Sequence, residues 1–376
     1  MITTEIIPDD AALRADRRGR VLAEMEAAGI DMLVLGREAN ARYVSGTPRL
    51  WLSGTRPIGT SCVLLRESGE VHLLTSWDEG VPDDIPRENL YGFTFNPANL
   101  VKALRALPGA ATVTTVATDA MSPTAAGVLA RSFPAATIVD GEPLLTNARR
   151  LKSAAEVAEI RAAVGVAERA TAAAAAAIAP GVTEQQVTAV FMEAMAGEGV
   201  CMPSVQDAVW ITSPAHPWRR AGRGAVAAAG DLVVVEAGVM RDLYAGEVGR
   251  TFVVGGEAAL SDAGRPLFAK RDELWRALFA ACRPGAPLSG LLDAYTACGV
   301  AAPPMPVAHG LGLGFDAPLV SADLPHTAAG GVFEEGMVLA VTAFVWQEGV
   351  GVAYGQEPLV ITATGAELLS SAPFAG

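Results

Sequence analysis

Polar and apolar positions of this 376-residue chain exchange at a helical spacing from Ala11 to Ala28, then give way to the apolar run Met32 to Leu35. Two further apolar runs, Ser61 to Leu65 and Val71 to Leu74, read as strands. A second round predicts a helix near Asn99 to Leu107, a strand at Thr112 to Val116, a helix at Met121 to Ser132 and a strand at Ala136 to Val139. Strands alternating with helices imply a sheet covered by helices, so the first part reads as an α/β domain. The pattern changes at "LLTNARRLKSAAEVAEIRAAVGVAERATAAAAAAI", where about seven turns of Ala-rich amphipathic helix begin, with Ile160, Ala163 and Val166 on one face. A boundary near Leu145 to Ser153 gives two domains, residues 1–148 and 149–376. Pro180-Gly181 stops that helix, and Thr183 and Gln186 have the spacing of a capping box opening another to about Gly197. Beyond it, strands alternate with helices near Ala263 to Ala281 and Leu288 to Cys298.

A composition that is 51% hydrophobic and 18% charged lets the chain bury a large core. The formal net charge of -13, with no long run of Lys or Arg, argues against a nucleic-acid or anionic-membrane partner. The N-terminus has no apolar stretch of signal-peptide length and the segment Ala170 to Ala179 is too short to span a bilayer, so a cytoplasmic protein is expected. Cys62, Cys201, Cys282 and Cys298 lie far apart, which fits buried, reduced thiols and neither a zinc knuckle nor a disulfide framework.

Chemistry enters at "LVVVEAGVMRDLYAGEVGRTFVVG", where Glu236 and Glu247 interrupt two β-rich runs. A hairpin with Arg241-Asp242 as its loop sets Glu236 directly opposite Glu247. Like charges facing each other at about 5 Å destabilise a strand pair, so a shared proton, a cation or a cationic substrate must relieve them. A register slip of one residue, turning one glutamate to solvent, is the alternative. Histidine is scarce: His216 lies between prolines in "SPAHPWRRAG", and His309 precedes three glycines in "PVAHGLGLGFDAP", whereas His72 and His326 read as structural. Glu357 enters a further apolar strand in "GQEPLVIT". These acids and histidines point to one polar site inside a β-core of the C-terminal half. Arg250, an odd number of residues from Glu247, reads as structural on the other strand face.

At these residues the sequence resembles the creatinase, methionine aminopeptidase and prolidase family. The resemblance spans most of the chain: "NARYVSG", "RRLKSAAEVAEIRAA", "PGVTEQQV", the hairpin, "HGLGLGFDAP", "EEGMVLAVTA" and "GQEPLVIT" occur in the family's order. It implies an α+β pita-bread catalytic domain after the α/β domain. In metal-dependent members it implies ligands of types Asp, Asp, His, Glu and Glu holding two divalent ions. These positions fall on Glu236, Glu247, His309, Thr342 and Glu357, so only His309 and Glu357 keep the family's residue type. A threonine cannot bridge two dications, and each Asp-to-Glu change moves a carboxylate by about 1.5 Å where tolerance is about 0.5 Å. The expectation is therefore no metal cofactor, with a single divalent ion on Glu236, Glu247, His309 and Glu357 as the open alternative.

Creatinase, a metal-free member, resembles this chain in lacking a full ligand set while keeping a histidine in the loop that here reads "AHPW". That implies a homodimeric hydrolase of a C–N bond in a small, nitrogen-containing, amino-acid-derived substrate, with His216 moving protons and Glu236, Glu247, His309 and Glu357 completing the catalytic set. The similar stretch "SGTRPIGTS" suggests Arg56 of the partner subunit for a substrate carboxylate. Thr342 replaces the family's glutamate, and Phe315 stands for its second histidine; with Trp218 and Trp346 they would line the substrate pocket. A lyase or isomerase on the same scaffold, a metal-dependent Xaa-Pro peptidase and a non-catalytic binding module are the alternatives.

Overall fold

A computed structural model describes residues 11–47, 62–75, 78–92, 94, 96–119, 122–204, 208–216, 224–242, 244–324, 331–372 and 374. The chain forms two compact units, Met1–Arg149 and Arg150–Gly376. Among the described residues no helix is long and apolar enough to cross a membrane.

The first unit contains α1 (Ala11–Ala28), β1 (Met32–Leu35), α2 (Glu38–Ser45), β2 (Cys62–Leu65), β3 (Val71–Leu74), β4 (Leu90–Tyr91), α3 (Pro97–Arg105), β5 (Thr115–Thr118), α4 (Pro123–Ser132), β6 (Thr137–Asp140) and α5 (Glu142–Arg150). Its sheet has the order β4-β3-β2-β1-β5-β6, with β1 parallel to β5 and antiparallel to β2. Helices α3 and α4 start where Asn96 and Ser122 accept backbone N–H groups ahead of a proline, so two orphan donors are satisfied. They pack Leu100, Leu104, Val128 and Leu129 on Met32, Val34, Val63 and Val116 of the sheet. The "NARYVSG" stretch forms most of α2, a helix the apolar pattern does not announce; Asn40 bonds Asp119 and Tyr43 donates to the carbonyl of Ala148. His72 is buried as a structural residue, its Nδ1 3.2 Å from the Tyr91 hydroxyl.

The second unit contains α6 (Ala154–Ala176), α7 (Glu184–Gly197), β7 (Val209–Ile211), β8 (Leu232–Arg241), β9 (Tyr244–Val253), α8 (Gly264–Ala281), α9 (Gly290–Ala297), β10 (Ala308–Leu311), β11 (Phe315–Val320), β12 (Val338–Gln347), β13 (Gly351–Thr362) and β14 (Gly365–Leu368). The long Ala-rich helix is interrupted before α6, because the Lys152 N–H goes to the carbonyl of Gly336 and Ser153 forms a capping box with Glu156. Thr183 and Gln186 form the second capping box, at α7. The strands make an antiparallel sheet of order β11-β10-β12-β13-β9-β8-β7, with β14 alongside β13. Helices cover one face. Leu267, Leu274, Leu278, Leu291 and Tyr295 of α8 and α9 pack on Leu339, Val341, Ala343, Ala353, Leu359 and Ile361 of β12 and β13. Helix α6 lies so close to β9 that a Cβ on Gly246 would stand 2.3 Å from the Ala163 carbonyl carbon. Alternation along the strands sends the remaining side chains to the opposite face, where the candidate site lies. All four cysteines are free thiols; Cys62, Cys282 and Cys298 are buried, whereas Cys201 is exposed, against expectation.

Candidate active site

The β8–β9 hairpin closes later than its sequence suggests. Arg241 pairs with Tyr244, and Asp242 between them takes a φ of 44°. Every pair moves by two residues, so Glu236 faces Gly249 and Glu247 faces Gly238. The two glutamates share a face but stand diagonally, and each looks across at a residue with no side chain. This offset avoids the direct opposition of like charge that the shorter hairpin imposes.

The neighbouring strands bring further groups to that face. Gln356 of β13 pairs with Gly249 on one side and with Thr342 of β12 on the other, so Glu236, Gln356 and Thr342 lie in one row across the sheet. His309 of β10 pairs with Ala340, two residues from Thr342 and on its face. Its Nε2 is 3.0 Å from Glu247 Oε2, and the Ser204 hydroxyl donates to Glu247 Oε1 at 3.2 Å. Glu247 and His309 are 6% and 4% exposed, so their contact is shielded from water.

Tyr354, two residues before Gln356, lays its ring over Gly249; a Cβ there would stand 2.1 Å from Tyr354 Cε1. With its ring over Gly249, the residue that faces Glu236, its buried hydroxyl is brought to the side chains of Glu236 and Thr342, which act on its acidity. Thr342 Oγ1 accepts from Gln356 Nε2 at 3.3 Å, which leaves its own proton for Tyr354 and the tyrosine proton for Glu236. Gln356, Thr342, Tyr354 and Glu236 therefore form one directed row of donors ending on a carboxylate. Burial, and then the charges of Glu236 and Glu247, hold the Tyr354 hydroxyl well above its ordinary pKa, so it stays protonated. Gln356 Oε1 is buried with no hydrogen-bond partner among the described residues. Beyond Tyr354 the same face turns apolar, with Val234, Phe344 and Val352 packed together and Trp210 and Trp346 half-buried beside them.

Glu357 is not part of this cluster. One residue along β13 from Gln356, it points to the helix-covered face, where Arg250 meets it at 2.7 Å and the Ser370 hydroxyl donates to it at 2.5 Å. Pair and partner are almost fully buried; burial raises the Glu357 carboxyl above its ordinary pKa against the pull of Arg250. The chain beyond β14 completes the back face. Glu168 accepts from the backbone of Ser371 and Ala372, and the Phe374 ring lies against Trp275 and under Arg271. Gln356, one residue earlier, occupies the place on the site face that the sequence comparison gave to Glu357. Strict alternation was the signal for it: Glu357 shares a parity with Ala353, Leu359 and Ile361 of the core.

The other expected residues are placed as follows. His216 is half-buried in the loop after β7, which is tied to the far end of the apolar half: Gly349 N–H donates to the Pro214 carbonyl and Trp346 Nε1 to that of Ser213. Phe315 of β11 pairs with Leu311 of β10, and its side chain is not among those described. Next to it, Asp316 forms a buried ion pair with Lys152 at 3.3 Å. Arg56, Trp218 and His326 lie outside the described residues. Tyr354, Gln356, Ser204 and the Lys152–Asp316 pair went unrecognised in the sequence.

The donor chemistry decides which cations fit. A pair of divalent ions needs bridging carboxylates, and neither Thr342 nor Gln356 supplies one. Glu236, Glu247 and His309 suit one ion at most, and among the described residues no three His, Cys, Asp or Glu side chains converge as a ligand group.

Residues 158–363 match the model of metallopeptidase family M24, and residues 17–151 that of the creatinase/prolidase N-terminal domain. No curated protein matches the sequence. Among solved structures, the prolidase from Pyrococcus horikoshii OT3 superposes with a TM-score of 0.77 at 19% identity, over 95% of this chain and 99% of its own. The Xaa-Pro dipeptidase from Bacillus anthracis gives 0.76 at 18%, over 96% and 98%. Dipeptidase PepE from Mycobacterium ulcerans gives 0.75 at 24%, over 97% and 98%. The fold is thus the pita-bread fold of these proteins.

Proposed function

We propose a function from one premise: this chain belongs to metallopeptidase family M24. It is a hydrolase of a C–N bond in a small, amino-acid-derived substrate, and a short peptide with proline after the scissile bond is the favoured class. The contact between Glu247 and His309 beside Glu236 carries this reading, because it gives a shielded acid–base pair on the face left open by the helices. Prolidases and an Xaa-Pro dipeptidase among the similar structures support a peptide bond over the other C–N bonds that the resemblance to creatinase leaves open.

Glu247, held by Ser204 and His309, takes a proton from attacking water and returns it to the leaving nitrogen. Glu236, fixed by Tyr354, orients the substrate's polar end, and the half-buried Trp210 and Trp346 with Phe344 receive its apolar group. A single divalent ion would supply Lewis acidity at the substrate carbonyl if Glu236, Glu247 and His309 closed on it. His216 as a second proton carrier, the partner subunit's Arg56 on the substrate carboxylate, Trp218 and Phe315 as pocket residues, a homodimer and a cytoplasmic location belong to the same proposal. The neutral Thr342 and Gln356 favour a second reading, hydrolysis without any metal.

Incubating the purified chain with Xaa-Pro dipeptides, with Mn2+ or with chelator, tests both. Release of proline that requires Mn2+ supports the single-ion reading, and release that survives chelation supports the metal-free one. No release under either condition overturns the peptidase proposal.

A further inference from the structure

The relatives belong to a metallopeptidase family, yet in this chain an uncharged row of donors runs through the middle of the candidate site. Gln356 Nε2 donates to Thr342 Oγ1, and the Tyr354 hydroxyl joins Thr342 to Glu236. The Tyr354 hydroxyl thereby connects a side chain of β8 with one of β12. The ring behind it is fixed. It packs over Gly249, in edge contact with Trp210 at 5.9 Å and Phe344 at 6.5 Å between ring centroids, and is 2% exposed. It cannot swing aside without opening the apolar cluster of Val234, Phe344 and Val352.

We infer that Tyr354 is a positioning residue that takes the place of one cation: its hydroxyl holds Glu236 by a proton where a dication would hold it by charge, limiting the face to a single divalent ion. The replacement is chemically consistent. A dication bridging two strands needs anionic ligands on both, whereas a hydroxyl needs one acceptor and one donor, and Glu236 and Thr342 are that pair. The neutral side chains at 342 and 356 and the tyrosine at 354 then act together, with hydrogen bonding where metal coordination would need carboxylates. The buried Oε1 of Gln356, without a protein partner among the described residues, fits this account, since the amide is turned by its donation to Thr342 and presents an acceptor to the site. That acceptor suits an N–H of the substrate and not a cation's inner sphere, where a charged oxygen is preferred.

The inference rests on the same reading of the face as the proposed hydrolase, but its test involves no substrate, so the two fail separately. Calorimetric titration of the full-length native chain with Mn2+ is expected to saturate at no more than one ion per chain; two ions per chain overturn the inference. The conservative variant Tyr354→Phe keeps the ring in its packing and removes only the hydroxyl. Freed from a hydrogen bond to a charged group, Glu236 should bind Mn2+ about tenfold more tightly than in the native chain. Equal or weaker binding overturns the role given to the hydroxyl, and a circular-dichroism melt shows whether the variant is folded. In the variant Thr342→Glu/Gln356→Glu, stoichiometry should remain at one while Tyr354 is present and reach two when Tyr354→Phe is added. Two ions with Tyr354 intact, or one ion in the folded triple variant, equally overturn it.

Discussion

Adjacent residues of β13, Gln356 and Glu357, separate two buried polar clusters on the two faces of one sheet. On the helix-covered face, Glu357 is matched by the Arg250 guanidinium and the Ser370 hydroxyl, a closed arrangement in which formal charges cancel. On the other face, Glu247 is matched by an imidazole and a hydroxyl, and Glu236 stands beside a phenol. The first pattern stabilises the fold. The second keeps carboxylates fixed but chemically available, and the difference separates structural acids from candidate catalytic ones better than burial does, because Glu247 and Glu357 are both buried.

Breaking the back-face pair tests the first half of that contrast. Arg250→Met leaves Glu357 buried without its counter-charge and should cost about 3–5 kcal/mol in urea unfolding, whereas Glu357→Gln should leave kcat on any cleaved substrate within about twofold. If Glu357→Gln abolishes activity in a folded protein, the two faces have been assigned the wrong way round. On the site face, Glu247→Gln should lower kcat about a hundredfold to ten-thousandfold with the melting temperature little changed. A smaller contrast concerns the two hairpin glycines. Gly246→Ala drives a methyl into the backbone of α6 and should cost about 1–3 kcal/mol, while Gly249→Ala meets the edge of the Tyr354 ring, which should show in Mn2+ binding or activity before it shows in stability. The smallest effect is in alkaline solution. Because the Tyr354 pKa is raised in the folded chain, its contribution to stability is fully present below about pH 10, the unfolded value, and is lost as pH rises toward the folded one. Stability curves of native protein and Tyr354→Phe should therefore converge as pH rises above 10; parallel curves would place the hydroxyl in water.

What the sequence made legible follows the range of the forces involved. Helix α1 and strands β1 and β3 have the limits read from their patterns, because apolar periodicity is local. Of the two capping boxes, the one at Thr183 is legible for the same reason; the one at Ser153 is not, because an uninterrupted Ala-rich pattern conceals a break made by a hydrogen bond to Gly336 from far along the chain. Glu236, Glu247 and His309 were found because charged or rare residues inside apolar strands are conspicuous. The pairing of the glutamates is not legible, because register depends on where the hairpin closes, and closure one residue later suits the composition as well as a loop of Arg241-Asp242. Glu357 was favoured over Gln356 because a carboxylate is more conspicuous than an amide, although strand parity opposed the choice. Tyr354 has no local signature at all: a tyrosine in an apolar strand reads as core, and only Gly249 under its ring, on a strand remote in sequence, shows that the ring crosses the site.

The pairing of Arg241 with Tyr244 has an effect on how this hairpin can change length. Adding or deleting one residue there would rotate every β9 side chain to the reverse side of the sheet, carrying Arg250 into the polar face and Glu247 under helix α6. Variants of the loop that keep both clusters must therefore differ from this one by even numbers of residues.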